Sequence, residues 1–293
     1  MKKIAWLGTG LMGQPMAHRL LSHGFELVVW NRSEAKTREL ALAGALVASS
    51  PQLAVQGVDT VVTMLSDGPV VYDLLFRQGV ARALRPGTLL VDMSSIAPAS
   101  AQAHARNLQE LGVQSLDAPV SGGVMGAKAG SLAIMVGGDR VDFIKAQPLW
   151  DALGRATYVG PHGSGALAKV ANQMIVGITI GAVAEALLLV QAGGGDPAAL
   201  LTALQGGFAD SRILAVHGKR MVERIFEPGA YCSTQLKDLD MACVLGQELG
   251  VALPLTRTVQ GLYHEWVKTG GARLDHSALY LALEQLGITK LSD

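Results

Sequence analysis

Lys169, Asn172 and Gln173 stand at i, i+3 and i+4 in an otherwise uncharged run, so a helix puts an amine and two carboxamides on one face. An amine so placed is a proton donor or acceptor, and amides beside it can orient it or a substrate. A lysine on so apolar a helix either snorkels out to solvent or faces a polar cleft. A second constellation, Gly8-Thr9-Gly10-Leu11-Met12-Gly13, follows the first apolar run and opens a helical stretch. Its first glycine permits a tight turn, its second admits a pyrophosphate to the backbone, and its third lets helix and strand pack closely. The next apolar run ends in Asn31-Arg32-Ser33, with no Asp or Glu where an NAD-binding sheet places an acid for the ribose hydroxyls. Those three side chains can instead donate to a 2′-phosphate, Arg32 with charge assistance.

Two further stretches fall where strand ends or helix starts face a ligand. Val91-Asp92-Met93-Ser94-Ser95 closes an apolar run, and Leu116-Asp117-Ala118-Pro119-Val120 leads into Ser121-Gly122-Gly123. One hydroxyl followed by two unhindered amides makes either a carboxylate nest or a Gly-rich turn with a local serine cap.

These positions need a scaffold, and the hydropathy pattern supplies one. Short β-branched runs alternate with helical stretches up to about residue 160, the rhythm of βαβ units. Strands are expected at Lys3–Leu7, Glu26–Trp30, Thr60–Met64, Thr88–Asp92, Ser115–Ala118, Leu132–Val136 and Thr157–Val159. Beyond Gly165 the pattern is helical, at about Ala166–Ala192, Pro197–Leu204, Ser211–Glu223, Leu236–Leu249, Pro254–Lys268 and His276–Leu286. The expected architecture is α/β: a Rossmann-type doubly wound dinucleotide-binding domain over 1–162, then an all-helical domain over 163–293. The helix that opens the second part is apolar nearly all round, which suits burial between packed bodies, another copy of the chain included.

Composition narrows the function. Lys plus Arg and Asp plus Glu both total 24 in 293 residues, so no net field recruits nucleic acid or an anionic membrane. Charged residues are 16% and apolar ones 49%, which points to a homodimer or homotetramer. Cys232 and Cys243 lack C-x-x-C spacing, the seven histidines are scattered, and no metal is expected. The segment from Val170 to Ala192 is interrupted by Asn172, Gln173 and Glu185 and reads as a buried helix, not a membrane span. The N-terminal apolar run is broken by Gly8 and Gly10, and the expected address is cytoplasmic. Neither Ser121 nor Ser164 sits in G-x-S-x-G, against a serine hydrolase. A dinucleotide-binding sensor without turnover is the reading from another class.

Taken together, the segments resemble the β-hydroxyacid dehydrogenase family along nearly the whole chain. The resemblance is carried by Gly8 to Gly13 with Pro15, by Asp117 to Gly123, and by Lys169, Asn172 and Gln173. It extends through Gly206-Gly207-Phe208-Ala209-Asp210-Ser211, Lys237-Asp238-Leu239-Asp240 and Asp275-His276-Ser277-Ala278-Leu279. It implies a hydride transfer between a nicotinamide cofactor, NADP favoured and NAD possible, and a small 3-hydroxy acid or semialdehyde. Lys169 is then the proton donor and acceptor, with Asn172 positioning it and the substrate. Ser121, Gly122 and Gly123 hold a substrate carboxylate, with Gln173, Phe208 and Asp240 also on the substrate side. Ser95 and Lys237 line the nicotinamide side. Many relatives carry Asn where this chain has Gln173, and that difference favours tartronate semialdehyde over glyoxylate, succinic semialdehyde and methylmalonate semialdehyde. Imine reductases share the two-domain plan but typically replace the lysine with Asp or Tyr, so Lys169 argues against that activity.

Overall fold

The computed structural model describes residues 3–291, which divide into two compact units, one ending at Lys169 and the other beginning at Val170. The first is built on one sheet. β1 (Lys3–Leu7) leads through the glycine-rich turn into α1 (Gly13–Ser22), and β2 (Glu26–Trp30), β3 (Leu46–Val47), β4 (Thr60–Thr63) and β5 (Leu89–Asp92) follow. After α2 (Pro98–Gln109) come β6 (Gln114–Asp117), β7 (Val120–Ser121), α3 (Gly123–Ala129), β8 (Leu132–Gly138), α4 (Gln147–Leu153) and β9 (Gly154–Gly160). The strand order is β3-β2-β1-β4-β5-β6-β8-β7, with β9 beside β8. All pairs from β3 to β6 are parallel, and β8 runs antiparallel to β6 and β7.

Parallel strands covered on both faces must be apolar on both, and β1, β4 and β5 are almost wholly buried. Ile4, Trp6, Val29, Val62 and Val91 join one core with Met16 and Leu20 of α1. Ala5, Leu7, Val61 and Leu90 join the other. The expected strands are all present, within a few residues at their ends. β3 and β7 are the additions, each two residues long, too short to show an alternation.

The second unit is helical: α5 (Ser164–Ala192) begins in the first unit, and α6 (Pro197–Leu204), α7 (Cys232–Glu248), α8 (Pro254–Lys268) and α9 (Leu279–Leu291) follow. Ile180, Val183, Ala184 and Leu187 of α5 pack with Leu236 and Leu239 of α7 and Val259 and Tyr263 of α8. The division falls inside α5, later than the expected break after residue 162. The cause is local. The Asp117 carboxylate at the end of β6 accepts from Gly163 N at 2.8 Å and Ala166 N at 2.9 Å, which ties the start of α5 to the sheet. Gly165 permits the approach, because a Cβ there would lie 2.4 Å from the carbonyl oxygens of Asp117 and Met135.

By length and composition α5 is long and apolar enough to cross a membrane. The face bearing Ile180 and Leu187 is buried, whereas Ile175 and Leu189 are 66% and 75% exposed. The all-round burial expected for this helix is therefore not supplied by its own chain.

Candidate active site

In the first unit, the turn from Gly8 to Gly13 is fixed from beneath. Trp6 Nε1 donates to Gly8 O at 2.8 Å, and a Cβ on Gly13 would stand 2.1 Å from that same oxygen, so the third glycine is required by packing. A Cβ on Gly10 would meet nothing, which leaves an open approach over the middle of the turn. α1 has neither a side-chain cap at Met12 nor an acid in its first turn, so no side chain of its own competes with an anion at this helix start. These features fit a dinucleotide's pyrophosphate at this turn.

Asn31 is engaged with its own chain at both ends of its amide. Its Oδ1 accepts from Thr9 N at 3.1 Å and its Nδ2 donates to Ser33 O at 3.0 Å, so it buttresses the turn from the end of β2. Arg32 and Ser33 beside it are exposed. Thr9 is buried and Leu11 is partly exposed.

The loops after β4 and β5 are bound together by Asp92. Its Oδ1 accepts from Thr63 Oγ1 at 2.8 Å and Ser94 N at 3.0 Å, and Ser94 Oγ accepts from Leu65 N at 2.9 Å. That arrangement places the half-buried Ser95 next in line. Burial raises the Asp92 carboxyl to about 6 against the pull of those hydrogen bonds, and the neighbouring Asp117, its partner across β5 and β6, adds to the rise. Burial also raises Asp117, against the bonds from Gly163 and Ala166.

Ser121 ends β7, and Gly122 and Gly123 open α3 with φ of +136° and +63°, conformations that favour glycine. The hydroxyl and the two glycines are thus contiguous at the start of a helix. Lys169 lies in the second turn of α5 and is half-buried.

In the second unit, Asn172 and Gln173 follow Lys169 on α5. Asn172 Nδ2 donates to Gln173 Oε1 at 2.8 Å, and Gln173 Nε2 donates to Asp238 Oδ2 at 2.9 Å and Gln235 Oε1 at 3.2 Å. Gln173 therefore lies within a side-chain network of α5 and α7. Lys237, assigned by resemblance to the nicotinamide side, forms an ion pair with Asp238 Oδ1 at 3.1 Å.

Asp240 does not join this network: it is exposed and accepts from Gln260 Nε2 at 2.7 Å. Residues two apart on a helix face nearly opposite ways, and Asp238 takes the buried position beside Gln235, Leu239 and Ala242. Phe208 is also apart from it, its side chain fully exposed on the loop after α6.

Asp238 and Gln235 were legible in the phase of α7. Starting that helix at Leu236 omits the turn that carries Gln235, whereas extending the period of Leu239, Ala242 and Gly246 backward puts both polar residues inside.

The structure also gathers histidines that look scattered in sequence. His217, Asp275 and His276 place their ligand atoms within 4.8 Å of one another. Asp275 is already supplied with donors: Arg220 at 2.6 Å, Gly229 N at 2.8 Å and Ser277 Oγ at 2.6 Å. Burial pushes this carboxyl up, but His217, the charge of His276 and the bonds from Ser277 and Gly229 hold it well below the usual range. With a guanidinium on one oxygen, the trio is a structural hub and a poor cation site.

Comparison with known proteins agrees with both units. Residues 3–160 match the family model for the NAD-binding domain of 6-phosphogluconate dehydrogenase, and residues 163–283 match that for the NAD-binding region of NADP-dependent 3-hydroxyisobutyrate dehydrogenase. The chain is 43% identical over 292 residues to the 2-hydroxy-3-oxopropionate reductase of Escherichia coli, covering 99% of this chain and 100% of that one. It is 36% identical to the NAD-dependent L-serine dehydrogenase of Pseudomonas aeruginosa, over 95% and 97% of the two chains. Among solved structures, Mycobacterium tuberculosis 3-hydroxyisobutyrate dehydrogenase with L-serine is 32% identical, with a TM-score of 0.87 over 97% of this chain and 99% of that one.

Proposed function

Since the chain belongs to the β-hydroxyacid dehydrogenase family and is an NAD(P)-dependent oxidoreductase of small hydroxy acids, we propose that it reduces tartronate semialdehyde with NADPH. The observation that carries the substrate is the full-length 43% identity to a 2-hydroxy-3-oxopropionate reductase. The coenzyme preference is supported by the absence of an acid at the end of β2 and by the exposed Arg32 and Ser33 there.

The nicotinamide supplies the hydride when bound. The chain's own task is the negative charge left on the substrate oxygen. Lys169 gives that oxygen a proton in reduction, and neutral Lys169 takes one in oxidation. Ser121, Gly122 and Gly123 offer one hydroxyl and two amides to a carboxylate, which anchors the substrate by the end that does not react. The segment at Arg32 binds the 2′-phosphate, and the turn from Gly8 to Gly13 takes the pyrophosphate. The apolar exposed face of α5, with Ile175 and Leu189, supports a homodimer or homotetramer. We assign the enzyme to the cytoplasm, in keeping with two buried, unpaired cysteines.

The test is a panel of two- to four-carbon semialdehydes with their methyl esters and amides. The free acids are turned over with NADPH, tartronate semialdehyde fastest, and the neutral derivatives lose most of kcat/KM because donors are left unpaired. Equal turnover of neutral aldehydes or cyclic imines defeats the carboxylate anchor. Lys169→Ala lowers kcat by about two orders of magnitude or more and leaves the NADPH Kd nearly unchanged. Near-normal turnover in that variant removes Lys169 from its role.

A further inference from the structure

Three side-chain amides on α5 and α7 have orientations dictated by groups that only accept. The buried Asp238 carboxylate faces Gln173, so Gln173 must present its nitrogen there, at 2.9 Å. Gln235, 1% exposed, is fixed separately: its Nε2 donates to the main-chain carbonyl of Gln173 at 2.9 Å, which turns its Oε1 to the same Gln173 nitrogen at 3.2 Å. Two acceptors thus converge on one NH2 group. Gln173 Oε1 is left facing Asn172, whose Nδ2 donates at 2.8 Å. The oxygen of Asn172 is then the atom turned away from Gln173.

We propose that Asp238, Gln235 and Gln173 are positioning residues that lock the Asn172 carboxamide with its oxygen toward the reacting groups, so that Asn172 works as a hydrogen-bond acceptor. The inference rests on the reading of Lys169 as the proton carrier. The groups an acceptor holds are donors: the Lys169 ammonium, one turn back on α5, or the hydroxyl of the hydroxy acid. The same oxygen disfavours the substrate carboxylate, which keeps that end of the substrate for other donors. Gly177 belongs to the device, because a Cβ there would stand 2.8 Å from Gln235 Nε2. Gln173 accordingly acts through Asn172, and its nitrogen is what reaches Asp238.

The titratable groups around Gln173 are Asp238 and its ion-pair partner Lys237 from α7, and Lys169 on α5. Gln173→Glu sets two carboxyls against each other. When one proton is shared, the introduced acid donates to Asp238 and its other oxygen still accepts from Asn172. The ratio of its kcat to that of wild type therefore rises about tenfold between about pH 8 and about pH 5.5, whereas a merely structural role gives a flat ratio. In Asp238→Asn, Lys237 retains the oxygen, the introduced nitrogen turns to Gln173, and the chain of amides inverts. Here kcat falls about tenfold while KM moves less than about threefold. Combining the two substitutions restores the order of donors and acceptors from position 238 through 173 to Asn172, leaves Gln235 Oε1 as the one acceptor without its donor, and returns kcat toward wild type, above that of either single variant, without the pH-dependent gain.

Neutron diffraction of the wild-type protein reads the same orientation without turnover. The Gln173 nitrogen carries deuterons directed at Asp238 and Gln235, and the Asn172 nitrogen carries one directed at Gln173. A flat pH ratio, a double variant no better than its poorer parent, or a Gln173 nitrogen facing Asn172 overturns the proposal. If wild type reduces no semialdehyde, the proposed function fails, and the neutron map alone decides the orientation.

Discussion

Single residues divide this protein's polar groups into those that present themselves to ligands and those that hold others in place. Asn31 is of the second kind, since both ends of its amide serve the turn at Thr9 and Ser33, and Arg32 is the charge that the proposed function sets against a 2′-phosphate. Arg32→Asp should weaken NADPH by roughly 1.5–3 kcal/mol, the scale of a hydrogen bond to a charged group, and leave NADH much less affected. Unchanged Kd values for both coenzymes, measured by fluorescence titration, refute the contact. Asp92 makes a prediction of the opposite sign from an ordinary paired acid. Its folded value of about 6 lies above the unfolded 3.8, so folding favours the protonated form, and stability from this group declines as pH rises from about 4 through 6. The shift corresponds to roughly 3 kcal/mol. Asp92→Asn should abolish that decline, so urea midpoints for wild type and variant diverge between about pH 4.5 and about pH 7.5 in the variant's favour. A constant difference across that range disproves the buried-acid account.

At the scale of elements, the first turn of α5 is where β6 and the helix carrying Lys169 are joined. Asp117 is the joint, with one oxygen for Gly163 N and the other for Ala166 N. His162 reinforces it by donating from Nε2 to Ser115 O on the same strand at 2.9 Å. Asp117→Ala leaves two buried N–H groups unsatisfied, at about 1–3 kcal/mol each, and should lower the urea midpoint with little change in m. Because the helix start is then released from the sheet, kcat should fall with stability. A variant with wild-type midpoint and wild-type kcat would show that the cap is dispensable.

For the whole molecule, the apolar excess anticipated from composition leaves exposed apolar side chains in both units, Ile175 and Leu189 of α5 among them. A 29-residue helix with such a face is covered by a second copy in the assembly proposed above. Sedimentation velocity at micromolar concentration should show a dimer or tetramer, and Ile175→Glu combined with Leu189→Glu should shift it toward monomer. A wild-type protein that sediments only as monomer contradicts the assembly.

The sequence by itself determined the elements and the motifs they carry. Apolar runs with glycine-rich ends specify parallel strands from local periodicity, and Gly8 to Gly13 and Lys169 with Asn172 are recognisable because their spacing is local too. Tertiary structure decided what depends on partners distant in sequence. Gln173 and Asp238 meet across 65 positions, and Asp117 and Ala166 across 49. The phase of α7 already turns Asp238 inward and Asp240 outward, but which side chains of α5 the buried anion meets is settled only by packing. The orientation of an amide was never in the sequence at all, because it follows from which neighbours can only accept, and those are chosen by packing.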